Sequence, residues 1–385
     1  MQSSQPQFYN FCMRKQKLAL FSSEFLAYAL IACMTLLSQY FVYIGLPPSF
    51  VGVLMALPSV NALWANQLYF LLAYKLGVRR VIVYAATIGI VSLWILFLSK
   101  SIILTFIFCF SLMLSQGGLV PLLESSLVEF ATRSRLSYAR IRFFGTLGYA
   151  AASFLVANLV NEGFVALFIV YSVLFFLMAS VVRRSDLEMN FHRRPSIRAT
   201  DKRFSVLFAI VTVAVGFNLF NTIFLPVLVK SKNFQASSVG LSLALMALSE
   251  TPFLLFAERI VKRLGSFKLL SSGVFVVGLR LVLASFATTE AQLLLIQLLH
   301  GWTYIVIYYA TLFLMRQKLS AHVLEGTQIV FWMSLQGIGP LLGSSVGGVV
   351  VEKMGAEPAY LTFGFIAISL TIFSWAIEKI WFRKG

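Results

Sequence analysis

The side chains most able to do chemistry in this chain are charged residues set inside apolar sequence. The stretch from Leu119 to Val156 reads LVPLLESSLVEFATRSRLSYARIRFFGTLGYAAASFLV. It places Glu124 in one apolar segment and Arg140 and Arg142 at the start of the next, with Arg133 and Arg135 in a short basic turn between them. A charge at the centre of a membrane helix costs roughly 2.5–3.5 kcal/mol on insertion scales, so such residues persist where they face a cavity or one another. Glu124 and Arg142 are therefore the first candidates for a ligand-binding ion pair. The plainer reading puts Glu124 near a helix end and both arginines at the membrane surface. Arg140, two residues from Arg142, points to nearly the opposite side and reads as a gate or a lipid-facing anchor.

The second half of the chain carries its own set: Glu250 in ALSETPFLLF, Arg280 in VVGLRLVLAS, and His300. Glu250, flanked by apolar residues, is a candidate proton carrier. Arg280 requires an anionic partner in a low-dielectric site, which either Glu250 or an acidic substrate could supply; packing alone is the alternative for both. His300 falls at four-residue spacing from Tyr304 and Tyr308, which places the three on one helical face, although a lone histidine is also a common structural donor. Glu24, in ALFSSEFLAYA with Tyr28 one turn later, is either a second protonatable site or the end of a surface turn. Tyr149 is a stacking surface or a packing residue, and Asn218, Asn221 and Gln328 are polar residues within apolar runs.

The elements that must hold these residues are membrane helices. Of the 385 residues 59% are hydrophobic and 12% are charged, against about a quarter charged in a soluble domain. Apolar runs long enough to cross a hydrocarbon layer of roughly 30 Å fall at 18–44, 49–74, 79–98, 102–130, 140–161 and 163–182, then at 205–229, 237–261, 267–288, 291–315, 323–350 and 358–381. This predicts an all-α polytopic membrane protein with twelve transmembrane helices in two six-helix bundles. The expected divisions are an amino-terminal bundle at 1–182, a central loop at 183–203 and a carboxyl-terminal bundle at 204–385. The polar start through Lys17 runs into a span too long for a signal h-region, so no cleavable signal is expected.

The net charge of +17 would suggest nucleic acid in a soluble chain. Here the lysines and arginines cluster at the amino terminus, in alternate gaps between spans, in the central loop and at the carboxyl end, where they set topology instead. By the positive-inside rule both termini are cytoplasmic, and no nucleic-acid partner is expected. Cys12, Cys33 and Cys109 have neither paired nor metal-like spacing, so no disulfide framework and no metal site are expected.

The two sets of six look like copies. Lys75-Leu-Gly77-Val-Arg79 is echoed by Arg263-Leu-Gly265-Ser-Phe-Lys268, and Gly145-Thr-Leu-Gly148 by Gly337-Ile-Gly339, each displaced by about half the chain. Parallel repeats are a device of transporters that rock one half against the other. Gly339, Gly343 and Gly347 recur every four residues, a spacing that lets two helices approach closely.

These residues carry a resemblance to the major facilitator superfamily, in the branch of lactose permease and the phenylpropionate and nucleoside proton symporters. The pattern E-(17 residues)-R-F/M-F-G-x-x-G-aromatic is met without gaps by Glu124, Arg142, Phe144, Gly145, Gly148 and Tyr149. The block LRLVLASFATTEAQLLLIQLLHG contains Arg280 and His300. The resemblance implies that Glu124, Arg142 and Tyr149 bind substrate, and that Arg280 and His300, with Glu250, take part in proton coupling. The family's proton-carrying acid beyond the histidine is Thr303 here, and the acid of its helix 2 to 3 signature is Tyr74. The resemblance therefore supports the binding geometry more than the proton coupling.

The expected function is that of a secondary active transporter, a proton symporter of a small polar or ring-bearing solute such as a sugar, a nucleoside or an aromatic acid. It would work as a monomer among membrane lipids, with the proton as coupling ion and no cofactor, in a bacterial inner membrane. An exporter of amphiphiles and a non-transporting receptor on the same fold are the alternatives. The sequence Gly343 to Gly347 also fits G-x-S-x-G, but a serine hydrolase needs a strand-to-helix elbow with an acid partner, and a glycine-rich membrane helix supplies neither.

Overall fold

The computed structural model describes residues 5–124, 127, 138–184 and 200–378, and all regular structure among them is helical. In hydrocarbon a backbone can satisfy its own polar groups locally only as a helix, so the apolar runs have no other stable form. Among the described residues, ten helices are long and apolar enough to cross a membrane, from Leu18–Tyr43 to Ala356–Ile377, or eleven if the bent pair Pro48–Ala62 and Gln67–Leu76 counts as one span. Tyr138–Leu159, 22 residues long, stands where the fifth span was expected. It is not among the ten, because Arg140 and Arg142 at its start and Asn158 near its end dilute its apolar content.

The chain divides into two compact units, one from Met1–Met34 and Trp64–His192, the other from Thr35–Leu63 and Arg193–Gly385. The central loop where the sequence suggests a division lies largely outside the described residues. By packing, the end of the first span and the start of the second go with the later helices. A side chain at Gly52 would run into the Ser344 carbonyl oxygen, and one at Gly348 would lie 2.5 Å from the carbonyl oxygen of Pro48. Small residues thus let Pro48–Ala62 lie directly on Gly339–Met354. The same helix also approaches Lys202–Ser231 closely, since a side chain at Gly343 would collide with the carbonyl oxygen of Gly216.

The repeated Leu-Gly turns have a common physical basis. Gly77 and Gly265 both adopt positive φ, 85° and 81°, between consecutive helices, a region that side-chain-bearing residues rarely enter.

In the second unit three spans are broken, and each break has a local cause. Ser237–Leu264 is interrupted at Glu250, where Pro252 opens the following helix Thr251–Leu264; proline cannot donate to the preceding turn and disfavours helix before it. Glu290–Lys318 tightens into a 3₁₀ turn at Leu298–Trp302 and leaves helical geometry at Thr303, with φ −111° and ψ −99°. A π-helical turn at Met333–Ile338 precedes Pro340 in the next helix, and such turns recur at functional positions. The first two breaks touch: a side chain at Gly301 would collide with the carbonyl oxygen of Ser249. That contact makes Glu250 and His300 neighbours.

In the first unit Gly145 and Gly148 do the same work. A side chain at Gly148 would collide with the Phe25 carbonyl oxygen, and one at Gly145 would lie 2.6 Å from the Tyr28 ring and 2.8 Å from the Arg142 guanidinium. The G-x-x-G motif is therefore what lets Tyr138–Leu159 lie against the first span at Glu24 and Tyr28.

Gly77→Ala and Gly265→Ala should each cost about 1–3 kcal/mol, the usual price of forcing a side chain into such a conformation. Gly148→Leu and Gly301→Val should cost at least as much through overpacking. Thermal unfolding of the detergent-solubilised protein, followed by tryptophan fluorescence, reads the loss; unchanged transitions in all four variants would contradict these close approaches.

Candidate functional site

Two clusters of charged and polar side chains lie within the spans, one in each unit. In the first unit the hydroxyl of Tyr28 donates to Glu124 Oε1 at 2.7 Å. The Arg142 guanidinium carbon sits over the Tyr28 ring, 3.8 Å from its centre, a cation–π contact that gains strength where water is excluded. Arg142 Nη1 is 3.7 Å from Glu24 Oε1. Tyr28 is thus the hub, holding Glu124 by its hydroxyl and Arg142 by its face. Glu24 is fully buried, whereas Arg142 keeps 37% of its side chain exposed. Glu124 and Tyr149 are partly buried. The structure brings Glu124 and Arg142 into one cluster through Tyr28, and adds Glu24 to it. The side chain of Arg140 and the turn containing Arg133 and Arg135 lie outside the described residues.

In the second unit Arg280 has no exposed surface. Its Nη2 donates to Asn218 Oδ1 at 2.7 Å, and its Nη1 contacts Nδ1 of His300. The other ring nitrogen, His300 Nε2, lies 3.3 Å from Glu250 Oε1. Thr303 completes the group: its hydroxyl lies within hydrogen-bond distance of Asn218 Oδ1 at 3.2 Å and of the His300 carbonyl at 2.8 Å. A guanidinium has only donors, so Nδ1 of His300 must accept. The imidazole is then neutral, with its proton on Nε2, directed at Glu250. Glu250 therefore communicates with Arg280 through His300.

This geometry corrects one expectation. His300 does not share a regular helical face with Tyr304 and Tyr308, because the chain departs from the helix between Leu298 and Thr303. Tyr304 instead accepts a hydrogen bond from Gln336 Nε2 at 3.2 Å, a residue of the π-helical turn. Asn221 donates through Nδ2 to Gln297 Oε1 at 3.2 Å, and its carbonyl accepts from the Tyr360 hydroxyl at 3.0 Å. Gln328 is partly buried, and no polar bond described above involves it.

Sequence reasoning gave Asn218 a secondary place and treated Thr303 only as a departure from a family pattern; both are partners in the Arg280 cluster. The available signal was the pair Asn218 and Asn221, three apart on a helix that is otherwise almost wholly apolar. Ser345, of the hydrolase-like pattern, lies in the continuous helix Gly339–Met354, with no elbow around it.

The comparisons with known proteins agree with this architecture. The model of the "MFS_1 like family" matches residues 18–362. A protein of Bacillus subtilis (strain 168) named as the uncharacterized transporter YwbF is 22% identical over 277 residues, 69% of each chain. The maltose permease of Geobacillus stearothermophilus is 22% identical over 261 residues, 66% of each chain. The solved structure of the nucleoside transporter NupG superposes with a TM-score of 0.81 at 19% identity, covering 94% of this chain and 99% of that one. At that identity the likeness establishes the fold. A match covering most of the chain, on helices that cross a membrane, makes this protein a membrane transporter belonging to the MFS_1-like family.

Proposed function

We propose that this transporter is a secondary active proton symporter of a small polar solute bearing a ring, in the class of nucleosides, sugars and aromatic acids. It would move its solute by alternating access, as a monomer in a bacterial inner membrane with both termini in the cytoplasm. The observation that carries the reading is the state of Arg142. It is a cation within an apolar span, fixed from behind by the Tyr28 ring and the buried Glu24, with more than a third of its side chain still accessible. Charge-assisted hydrogen bonds are about twice as strong as neutral ones, so Arg142 with Glu124 and Tyr149 suits the hydroxyls or carboxylate of such a solute. The maltose and nucleoside specificities in the names of two similar proteins favour the same solute class.

The second cluster suits the coupling role. Glu250 is its one acid and Arg280 its one base, joined by a neutral histidine. Adding a proton to Glu250 removes the charge that His300 Nε2 faces, and adding one to His300 Nδ1 is incompatible with the Arg280 contact. Proton binding thus rearranges this cluster, and both breaks that carry it lie within spans.

Uptake of radiolabelled uridine, maltose and phenylpropionate into proteoliposomes under an imposed proton gradient tests the reading. At least one should accumulate, and a panel that never exceeds equilibration would remove proton symport of this class. With the accumulated solute, Glu124→Gln or Arg142→Ala should abolish binding. Glu250→Gln should preserve exchange of labelled against unlabelled solute while accumulation driven by pH disappears; normal accumulation in that variant would take Glu250 out of the mechanism.

A further inference from the structure

Glu24 is the acid to which the reading above gives no part in binding solute or moving a proton. Its side chain is fully buried in the first span, and neither carboxyl oxygen accepts a hydrogen bond. The nearest cation, Arg142, stands 3.7 Å away, beyond hydrogen-bonding distance. Gly145 lies beside both: a side chain at that position would come within 2.8 Å of Arg142 Nη1 and 3.1 Å of Glu24 Oε1. The charged and titratable groups around it, among the described residues, are Arg142, Glu124 and Tyr28.

Two carboxyls thus lie in a cluster that holds one guanidinium, Glu24 beside it and Glu124 reached through Tyr28. Glu124 accepts the Tyr28 hydroxyl, whereas Glu24 has no such donor. A buried carboxylate without a donor is among the most costly arrangements in an apolar medium, and a neutral carboxylic acid avoids that cost. Arg142 cannot close on Glu24 while its guanidinium lies on the Tyr28 ring. We propose that Glu24 is a second proton-binding site of the transport cycle, holding a proton while Arg142 lies on the Tyr28 ring. When Arg142 turns to Glu24, the acid gives its proton to water and the resulting carboxylate pairs with the guanidinium; the reverse movement takes a proton back from water. This inference rests on the transporter reading and gives a proton-binding role to a residue which that reading uses only to support Arg142.

Infrared spectroscopy of the protein reconstituted in lipid vesicles, compared between acid and alkaline pH without any solute, tests it directly. The wild type should show a protonated-carboxyl band at neutral pH that disappears in Glu24→Gln, shifts in Glu24→Asp and persists in Glu124→Gln. The aspartate variant keeps the test valid if the glutamine variant fails to fold. A band unaffected by either Glu24 substitution, or one lost only in Glu124→Gln, would overturn the proposal. Because no transport is measured, such a failure would leave the symport reading standing, while a failure of uptake would leave the infrared result intact.

Discussion

Local neutralisation of charge within an apolar medium is the constraint on which the rest of this structure depends. An isolated ion in such surroundings is costly enough that it must find partners within its own neighbourhood. In the second unit Glu250 and Arg280 balance each other, and the neutral His300 carries the interaction between them. In the first unit Arg142 stands beside Glu24 and lies on the ring of Tyr28, whose hydroxyl donates to Glu124. The helices are spaced and broken so that these partners meet.

That spacing is achieved by the absence of side chains. Gly148 against Phe25, Gly301 against Ser249 and Gly343 against Gly216 are places where backbone touches backbone. Van der Waals packing is the main attraction between helices in lipid, where water provides no hydrophobic drive. The same contacts that hold the helices together therefore set which polar groups come into reach. At Gly301 packing and chemistry coincide, since the residue that permits the close crossing is next to the histidine that the crossing delivers to Glu250.

The spans were legible because their composition leaves a membrane helix as the only satisfied backbone, and Glu124, Arg142, Glu250, Arg280 and His300 were legible because a charge in such a span is expensive. What the sequence left open were the pairings. Arg280 and Asn218 lie 62 positions apart, and nothing in either neighbourhood names the other. The Glu24 connection to Arg142 depends on how closely two helices pass, which the G-x-x-G motif permits without specifying a partner. The break at Glu250 did have a signal, in Pro252. The break before Thr303 had only Gly301, and helical periodicity carried across it misplaced His300 relative to Tyr304.

The two arginines are held in different ways, and the difference separates their roles. Arg280 has no exposed surface, and two of its nitrogens are committed to Asn218 and His300. A solute could reach it only by dismantling the cluster, which is consistent with the coupling role proposed for it and not with solute binding. Arg142 is supported on one face by an aromatic ring and keeps part of its side chain accessible. The ring contact is made by the face of the guanidinium and uses none of its N–H donors. The proposed symport mechanism calls for both kinds of site, one cation open to a solute and one enclosed by the protein.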